Sequence, residues 1–233
     1  MDIAQVLLAS FNVRVLKEPR GFIKVLQFLF TICSFATTTS FMSVLRLSVT
    51  CKDNTSDLVT IPISYSFKLY QMTVSACSGG ESVVFRQDFS SDSQFFVAVG
   101  VLAFLYTIVA LFIYTVFEKV YSSDARVPTA DLAFHCIFAI LFLAASSAWA
   151  NSLSGLKSAT TIETIIAENP TFCSSNSCAI SEEPDFSKLN ISVILGFLNV
   201  FLFSSNLWFI YKETIFFVGK ENADNPIESE PRV

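Results

Sequence analysis

Several residue types on which soluble enzymes and nucleic-acid-binding proteins depend are scarce in this chain of 233 residues. It has one histidine, seven glycines and seven prolines, and only 15% of its residues are charged. It has no glycine-rich phosphate loop, no HExxH zinc motif and no G-x-S-x-G nucleophile motif, so no enzyme activity, metal or cofactor is expected. Basic residues form no stripe and the net charge is −5, so nucleic acid is not expected as a partner.

Apolar residues are abundant, at 52% of the chain, with 25 phenylalanines among them. A helix rises about 1.5 Å per residue and needs roughly 20 apolar residues to cross a hydrocarbon core of about 30 Å. Four runs reach that length, at residues 22–45, 95–117, 132–150 and 191–211. The sequence therefore predicts an all-α membrane protein, a bundle of four transmembrane helices with long loops at 46–94 and 151–190. Trp149 and Trp208 lie near ends of these runs, which favours a role as interfacial anchors, with core packing as the alternative.

Basic residues predict the orientation of the spans. Arg14, Lys17, Arg20 and Lys24 flank the start of the first span, and positively charged flanks stay in the cytoplasm. The N-terminal segment 1–21 is therefore expected in the cytoplasm, and an even number of spans returns the acidic tail, residues 215–233, to the same side. Both long loops then face a lumen. Lys24 is expected to snorkel from its span to the headgroups.

Four of the six cysteines fall in the two predicted luminal loops, Cys51 and Cys77 in the first and Cys173 and Cys178 in the second. Disulfides persist in a lumen, which agrees with the orientation that the charges predict. Four cysteines allow three pairings, of which one bridge within each loop is the simplest.

Two glycosylation sequons lie on the same predicted side. The sequon Asn54-Thr55-Ser56 lies well inside the first loop, and glycosylation is predicted at Asn54. The sequon that begins at Asn190 abuts the fourth span, so Asn190 is expected to remain unmodified.

Periodicity predicts structure within the loops. Apolar and polar residues alternate at 45–50 and 59–69, which indicates short β-strands, and residues 82–86 are a third candidate. The first loop is therefore predicted to hold a small β-rich unit stapled by a disulfide. In the second loop, residues 161–168 are predicted to form a short helix that ends before Pro170.

Few polar side chains lie inside the spans. Asp131 and His135 are four residues apart near the start of the third span. Asp131 is expected at the membrane interface and His135 as a packed or hydrogen-bonded residue, with a proton relay the less favoured reading. Asn199 and Asn206, seven residues apart on one face of the fourth span, are predicted to donate interhelical hydrogen bonds.

Seven segments, in chain order, resemble the synaptophysin family of vesicle proteins, which are built on the four-span MARVEL domain. They are LKEPRGFIKVLQ (16–27), YSFKLYQ (65–71), DFSSDSQFFV (88–97), AFLY (103–106), SSAWA (146–150), LNISVILGFLN (189–199) and NLWFIYKET (206–214). The resemblance implies a MARVEL domain over residues 15–214, a glycosylated first loop and one bridge within each loop, Cys51–Cys77 and Cys173–Cys178.

The resemblance also implies a membrane organiser of synaptic or small cytoplasmic transport vesicles. Family members form homo-oligomers, associate with cholesterol and bind the vesicle SNARE synaptobrevin, so membrane lipids, cholesterol and such a SNARE are the expected partners. Two weak sterol-contact patterns are present, Val116–Tyr121–Arg126 and Lys17–Phe22–Val25. The tyrosine- and glycine-rich tail of the type member has no counterpart in residues 215–233, so tail-dependent binding is not expected.

Two other classes share four spans with internal termini. A channel or transporter oligomer would line its pore with Thr37–Ser40 and Asn199. A claudin-like junction or adhesion protein would share the β-rich first loop, but residues 46–94 contain no tryptophan, which the claudin loop pattern requires. The vesicle organiser is the preferred prediction, and subunit number stays open.

Overall fold

The computed structural model describes residues 19–77, 82–116 and 126–212. We number the helices and strands of these residues in chain order. They are α1 (Pro19–Thr39), β1 (Met42–Thr50), β2 (Ser56–Ser64), β3 (Thr73–Ser75), β4 (Ser82–Val84), α2 (Ser90–Val116), α3 (Arg126–Ala159), α4 (Ile162–Glu168), α5 (Pro170–Ser175), β5 (Ser177–Glu182) and α6 (Ser187–Tyr211).

Four helices are long and apolar enough to cross a membrane, as the hydropathy pattern predicts. Their candidate spans are Gly21–Thr39, Ser90–Val116, Val127–Ala159 and Ser187–Tyr211. Each offers large apolar side chains to its surroundings, such as Leu29, Leu102, Ile140 and Phe201. The predicted fold class, a helical membrane bundle with a small β region, is confirmed.

The first span was expected to reach Leu45, and that boundary is wrong. Helix α1 ends at Thr39 and strand β1 starts at Met42. The hydroxyl groups of Thr37, Thr38 and Thr39 donate to the backbone carbonyls four residues earlier, at 2.8–3.2 Å, which satisfies polar groups of the last turn. A hydropathy count does not register this change, because residues 41–45 are as apolar as the helix before them.

Two aspartates precede helices that start earlier than the predicted spans at 95 and 191, since α2 starts at Ser90 and α6 at Ser187. The Asp88 carboxylate accepts the backbone N–H of Ser90 at 2.9 Å, and Asp185 accepts that of Ser187 at 2.8 Å. These local hydrogen bonds satisfy the first backbone N–H group of α2 and of α6. Side-chain and then backbone hydrogen bonds from Ser90 hold the pKa of Asp88 below its usual value, and those from Ser187 do the same for the pKa of Asp185.

The first loop forms a β-hairpin where the alternation predicts two short strands. The predicted end of the second strand at residue 69 is wrong, because the strand ends at Ser64 and a 3-10 turn occupies Leu69–Gln71. Strands β1 and β2 pair antiparallel, with Leu47 opposite Val59 and Leu45 opposite Ile61. Alternate residues of both strands are buried, as the period of two requires. Strand β4 lies within the predicted third candidate, 82–86, and pairs with β3 in a separate two-stranded sheet.

The second loop differs from its prediction. Helix α4 matches the predicted short helix, but Pro170 begins a further helix, α5, because proline is well suited to a first helical turn. Strand β5 then pairs antiparallel with β1 to give a three-stranded sheet of order β2-β1-β5. The two loops therefore share one sheet, with an ion pair between Arg46 and Glu182 across it.

The described part of the chain divides into two compact units. The first contains the described residues up to Ile32, those within Val101–Leu143 and those from Phe197 onward. The second contains the described residues within Cys33–Gly100 and Ala144–Gly196. Each unit therefore combines segments that are far apart in the sequence.

Both expected bridges, Cys51–Cys77 and Cys173–Cys178, are present, with Cα atoms 5.8 and 5.7 Å apart. The two cysteines are 26 residues apart in the first bridge and 5 residues apart in the second. Replacing the first pair by serine is expected to destabilise the second unit by about 3 kcal/mol, and replacing the second pair by about 2 kcal/mol, because the longer closed loop restricts the unfolded chain more.

The measurement is the midpoint of thermal denaturation, monitored by size-exclusion chromatography of the detergent-solubilised protein. A Cys136→Ser variant, which changes a cysteine outside the bridges, is the control. A larger loss from the Cys173–Cys178 pair would contradict the loop-length argument.

Candidate functional site

A buried ion pair lies within the candidate membrane spans of the first unit. The Lys24 ammonium of α1 contacts both carboxylate oxygens of Asp131 of α3, at 3.0 and 2.8 Å, with 2% and 9% of the side chains exposed. The expectation that Lys24 snorkels is wrong, and Asp131 faces another helix instead of the headgroups at the interface. Each charge has a partner on another helix, so neither needs water or headgroups to compensate it.

Helix α2 joins the pair through Tyr106. Its hydroxyl donates to the Asp131 carboxylate and lies 3.0 Å from Nδ1 of His135. Residues 131 and 135 are one helical turn apart on α3, which brings both within reach of the same hydroxyl. Tyr106 therefore connects the ion pair to the only histidine of the chain.

Both ring nitrogens of His135 have hydrogen-bonding neighbours. Nδ1 lies 2.9 Å from the backbone carbonyl oxygen of Asp131. Nε2 lies 2.8 Å from the side-chain nitrogen of Asn206 and 3.4 Å from Oε1 of Gln27. Asn206 Oδ1 has no hydrogen-bond partner among the described residues. The ring is fully buried, so His135 is a hydrogen-bonded core residue that links α3 to α6.

Two further amides tie α1 to α6. The Gln27 side chain donates to the backbone oxygen of Leu202, and that of Asn199 donates to the backbone oxygen of Phe30, both at 3.2 Å. Together with the ion pair and the histidine, they form what we call the polar network, whose members are Lys24, Gln27, Tyr106, Asp131, His135, Asn199 and Asn206. It takes side chains from all four spanning helices.

Sequence reasoning found only part of this network. It singled out Asn199 and Asn206, both of which donate between helices, but it did not pair Lys24 with Asp131 and it omitted Gln27. One signal was available, since a lysine and an aspartate in two different spans each need a partner in the membrane.

The other predicted site residues lie elsewhere. Phe22 is exposed and Val25 half-buried on α1, and Val116 is the last residue of α2. Lys17 and Tyr121 fall outside the described residues, and of Arg126 only the backbone, at the start of α3, is described. Both sterol-contact patterns therefore lie partly outside the described residues and stay predictions.

The two sequons differ in their surroundings. Asn54 is exposed in the turn between β1 and β2, with φ at 62°. Asn190 lies in the first turn of α6, where its side-chain oxygen accepts a hydrogen bond from the Lys157 ammonium at 2.7 Å, and the sequon's Ser192 is fully buried. Only the Asn54 sequon has the open geometry of a typical acceptor.

A second buried cluster, in the second unit, surrounds Trp149. The indole is fully buried, donates to the Ser192 hydroxyl at 3.0 Å and packs against Phe67 and Phe96, with ring centroids 5.2 and 6.4 Å away. Gly196 passes close to Phe96 and Ser146. The expectation that Trp149 anchors the interface is wrong because its N–H has an internal partner. The Trp208 side chain is 61% exposed, and the Lys212 ammonium lies over its ring in a cation–π contact.

The family model of MARVEL, described as a membrane-associating domain, matches residues 15–209. That range holds all four candidate spans except the last two residues of α6, and it includes both clusters. The chain belongs to the MARVEL family. It is therefore a multi-pass integral membrane protein, and the polar network and the Trp149 cluster are internal features of its MARVEL domain.

The ion pair of the MARVEL domain makes a direct prediction. Lys24→Met or Asp131→Asn alone is expected to destabilise the protein by about 3–5 kcal/mol, because the remaining charge is left buried without its partner. The double variant Lys24→Met/Asp131→Leu is expected to recover most of that loss. Thermal denaturation, monitored by size-exclusion chromatography, measures both the loss of stability and its recovery.

The matched control is the exposed pair between Arg46 and Glu182. Its Glu182→Gln variant is expected to change stability by less than about 1 kcal/mol. If the single variants at Lys24 and Asp131 were as mild as this control, the network would have no structural role.

The Trp149 cluster predicts a difference between two glycines. A Cβ at Gly196 would come 2.7 Å from the Phe96 ring, whereas one at Gly100 would come 3.1 Å from the Cβ of Phe35. Gly196→Ala is expected to cost about 1–3 kcal/mol by overpacking. Gly100→Ala is expected to be milder, with the same gain in helix propensity.

The same denaturation assay compares the two variants. Both glycines lie inside spanning helices, so the gain in helix propensity cancels when the two variants are compared. The difference between their denaturation midpoints then reports the local contact. Equal midpoints would show that the cluster around Gly196 is loosely packed.

Proposed function

We propose that this MARVEL protein is a synaptophysin-like component of small transport or synaptic vesicles that organises their membrane through self-association. In this proposal both termini are cytoplasmic and both disulfide-bridged loops are luminal. Cholesterol and a synaptobrevin-like SNARE are the partners that the resemblance implies.

The strongest support for the proposal is that segments resembling the synaptophysin family contact one another. Phe67, Phe96, Trp149 and Ser192 come from four different segments, and they form one contact set. The Phe89 backbone N–H also donates to the Phe67 carbonyl at 3.2 Å. A resemblance in apolar character alone would not select an indole, the hydroxyl that it binds and the rings that pack against it.

The distribution of polarity favours a structural role in the membrane over transport. Side chains of the polar network bond to one another or to backbone carbonyls of neighbouring helices, and large apolar side chains are exposed on the spanning helices. The groups that a pore would use are engaged internally. The Thr37 and Thr39 hydroxyls bind backbone carbonyls, and Asn199 binds the Phe30 carbonyl. An apolar exterior of this kind suits contact with lipid and with further copies.

The test of this function is immuno-isolation from cells that express the C-terminally tagged chain. Small vesicles are expected to be enriched, and a vesicle SNARE and multimers of the chain are expected to co-purify in mild detergent. Staining concentrated at cell contacts would favour the claudin-like alternative, and conductance in planar bilayers above empty controls would favour a channel. Either result would overturn the vesicle proposal.

The orientation has its own readout. Glycosidase treatment of the isolated vesicles after permeabilisation is expected to reduce the apparent mass, and Asn54→Gln is expected to abolish that shift. Asn190→Gln is the matched control and is expected to retain it. A C-terminal tag that resists protease in sealed vesicles would contradict the proposed topology.

A further inference from the structure

A groove of about 360 Å³ lies between helices α2 and α3 in the first unit. Leu105, Val109 and Ile113 form the α2 wall, and Val127 and Phe134 belong to the α3 wall. Its size falls in the range of small-molecule sites. The α2 wall extends from residue 105 to residue 113, eight steps of 1.5 Å or about 12 Å of helix, so the groove is elongated along the helices.

Three members of the polar network, Lys24, Tyr106 and Asp131, lie at the floor of the groove. They are bonded to one another, and the ammonium and the carboxylate compensate each other at 2.8 Å. The accessible lining is therefore almost wholly apolar and has no net charge, which suits a neutral amphiphile better than an ion.

The position of the groove limits what can reach it. Leu105, Val109 and Phe134 are 53%, 56% and 49% exposed, and in an integral membrane protein such apolar surface on a span faces hydrocarbon. Lys24 and Asp131 lie three and four residues inside the candidate spans that begin at Gly21 and Val127, or about 5–6 Å at 1.5 Å per residue. The ion pair therefore lies toward the ends of these two spans, the direction in which the ester groups of glycerolipids lie, and Tyr106 extends the floor deeper.

From these observations we propose that the groove is a binding site for one glycerophospholipid molecule of the surrounding bilayer. One acyl chain lies along the α2 and α3 walls, and the glycerol ester region lies over the floor formed by Lys24, Tyr106 and Asp131. Ala110 and Ala130 leave hollows between the larger wall residues. A flexible chain conforms to such an uneven surface more readily than a rigid planar ring system does.

The test uses the full-length protein purified in mild detergent and reconstituted in phosphatidylcholine vesicles. Native mass spectrometry is expected to find one phospholipid retained per chain. A phosphatidylcholine probe with a photoreactive acyl chain is expected to label peptides that contain residues 105–113 and 127–134. Excess unlabelled phosphatidylcholine is expected to reduce this labelling at least fivefold.

Two variants fill the groove from opposite walls, Ala110→Trp and Ala130→Phe. Each is expected to reduce lipid retention and groove labelling at least fivefold. Leu102→Trp is the matched control, since Leu102 is 55% exposed on α2 and does not line the groove, and it is expected to retain both. If one of the two filling variants does not elute as a folded species, the other variant still tests the proposal.

Three results would overturn the proposal. The first is labelling spread evenly over the lipid-facing surface, including peptides around Leu102, which would show ordinary boundary lipid. The second is a photoreactive sterol that labels the groove and displaces the phospholipid. The third is full lipid retention in a folded filling variant. None of them depends on vesicle localisation, so failure of the proposed function and failure of the lipid site are distinguishable.

Discussion

The ion pair between Lys24 and Asp131 constrains the arrangement of the helices around it. An ammonium or carboxylate buried here without its partner would cost several kcal/mol, so α1 and α3 are held where the two groups meet. Tyr106 then brings α2 to the carboxylate, and His135 brings α6 through Asn206. Separating any one of these helices would leave a buried polar group without a partner, and such groups are more costly in hydrocarbon than in water.

This internal use of polarity agrees with the kind of protein that the family assignment indicates. Lipid gives helices little hydrophobic reason to associate, so their association depends on close packing and on interhelical hydrogen bonds. The described spans have both features, in the polar network and in the packing of Gly196 against Phe96. With these polar groups turned inward, large apolar side chains such as Leu102 and Phe201 are exposed on the described spans.

Much of the fold could be predicted because its signals are local. The four spans follow from run length, the β1–β2 hairpin from alternation and helix α4 from the proline that follows it. The bridges were within reach because the cysteines lie in two separate loops. Strand β5 was missed because it is short and borders a disulfide loop, and because its partner β1 belongs to the other loop. The end of α1 was misplaced because an apolar run has the same hydropathy in a helix and in a strand.

The candidate site shows the same division. By itself the sequence determined the membrane class, the number of spans and the residues that need partners, since hydropathy, length and charge are properties of a segment. Only the tertiary structure decided which partner each residue has. Lys24 and Asp131 are 107 residues apart, and nothing near either one shows whether its charge reaches water or another helix. Trp149 likewise became a core residue only because Ser192, 43 residues further along the chain, places a hydroxyl against its N–H.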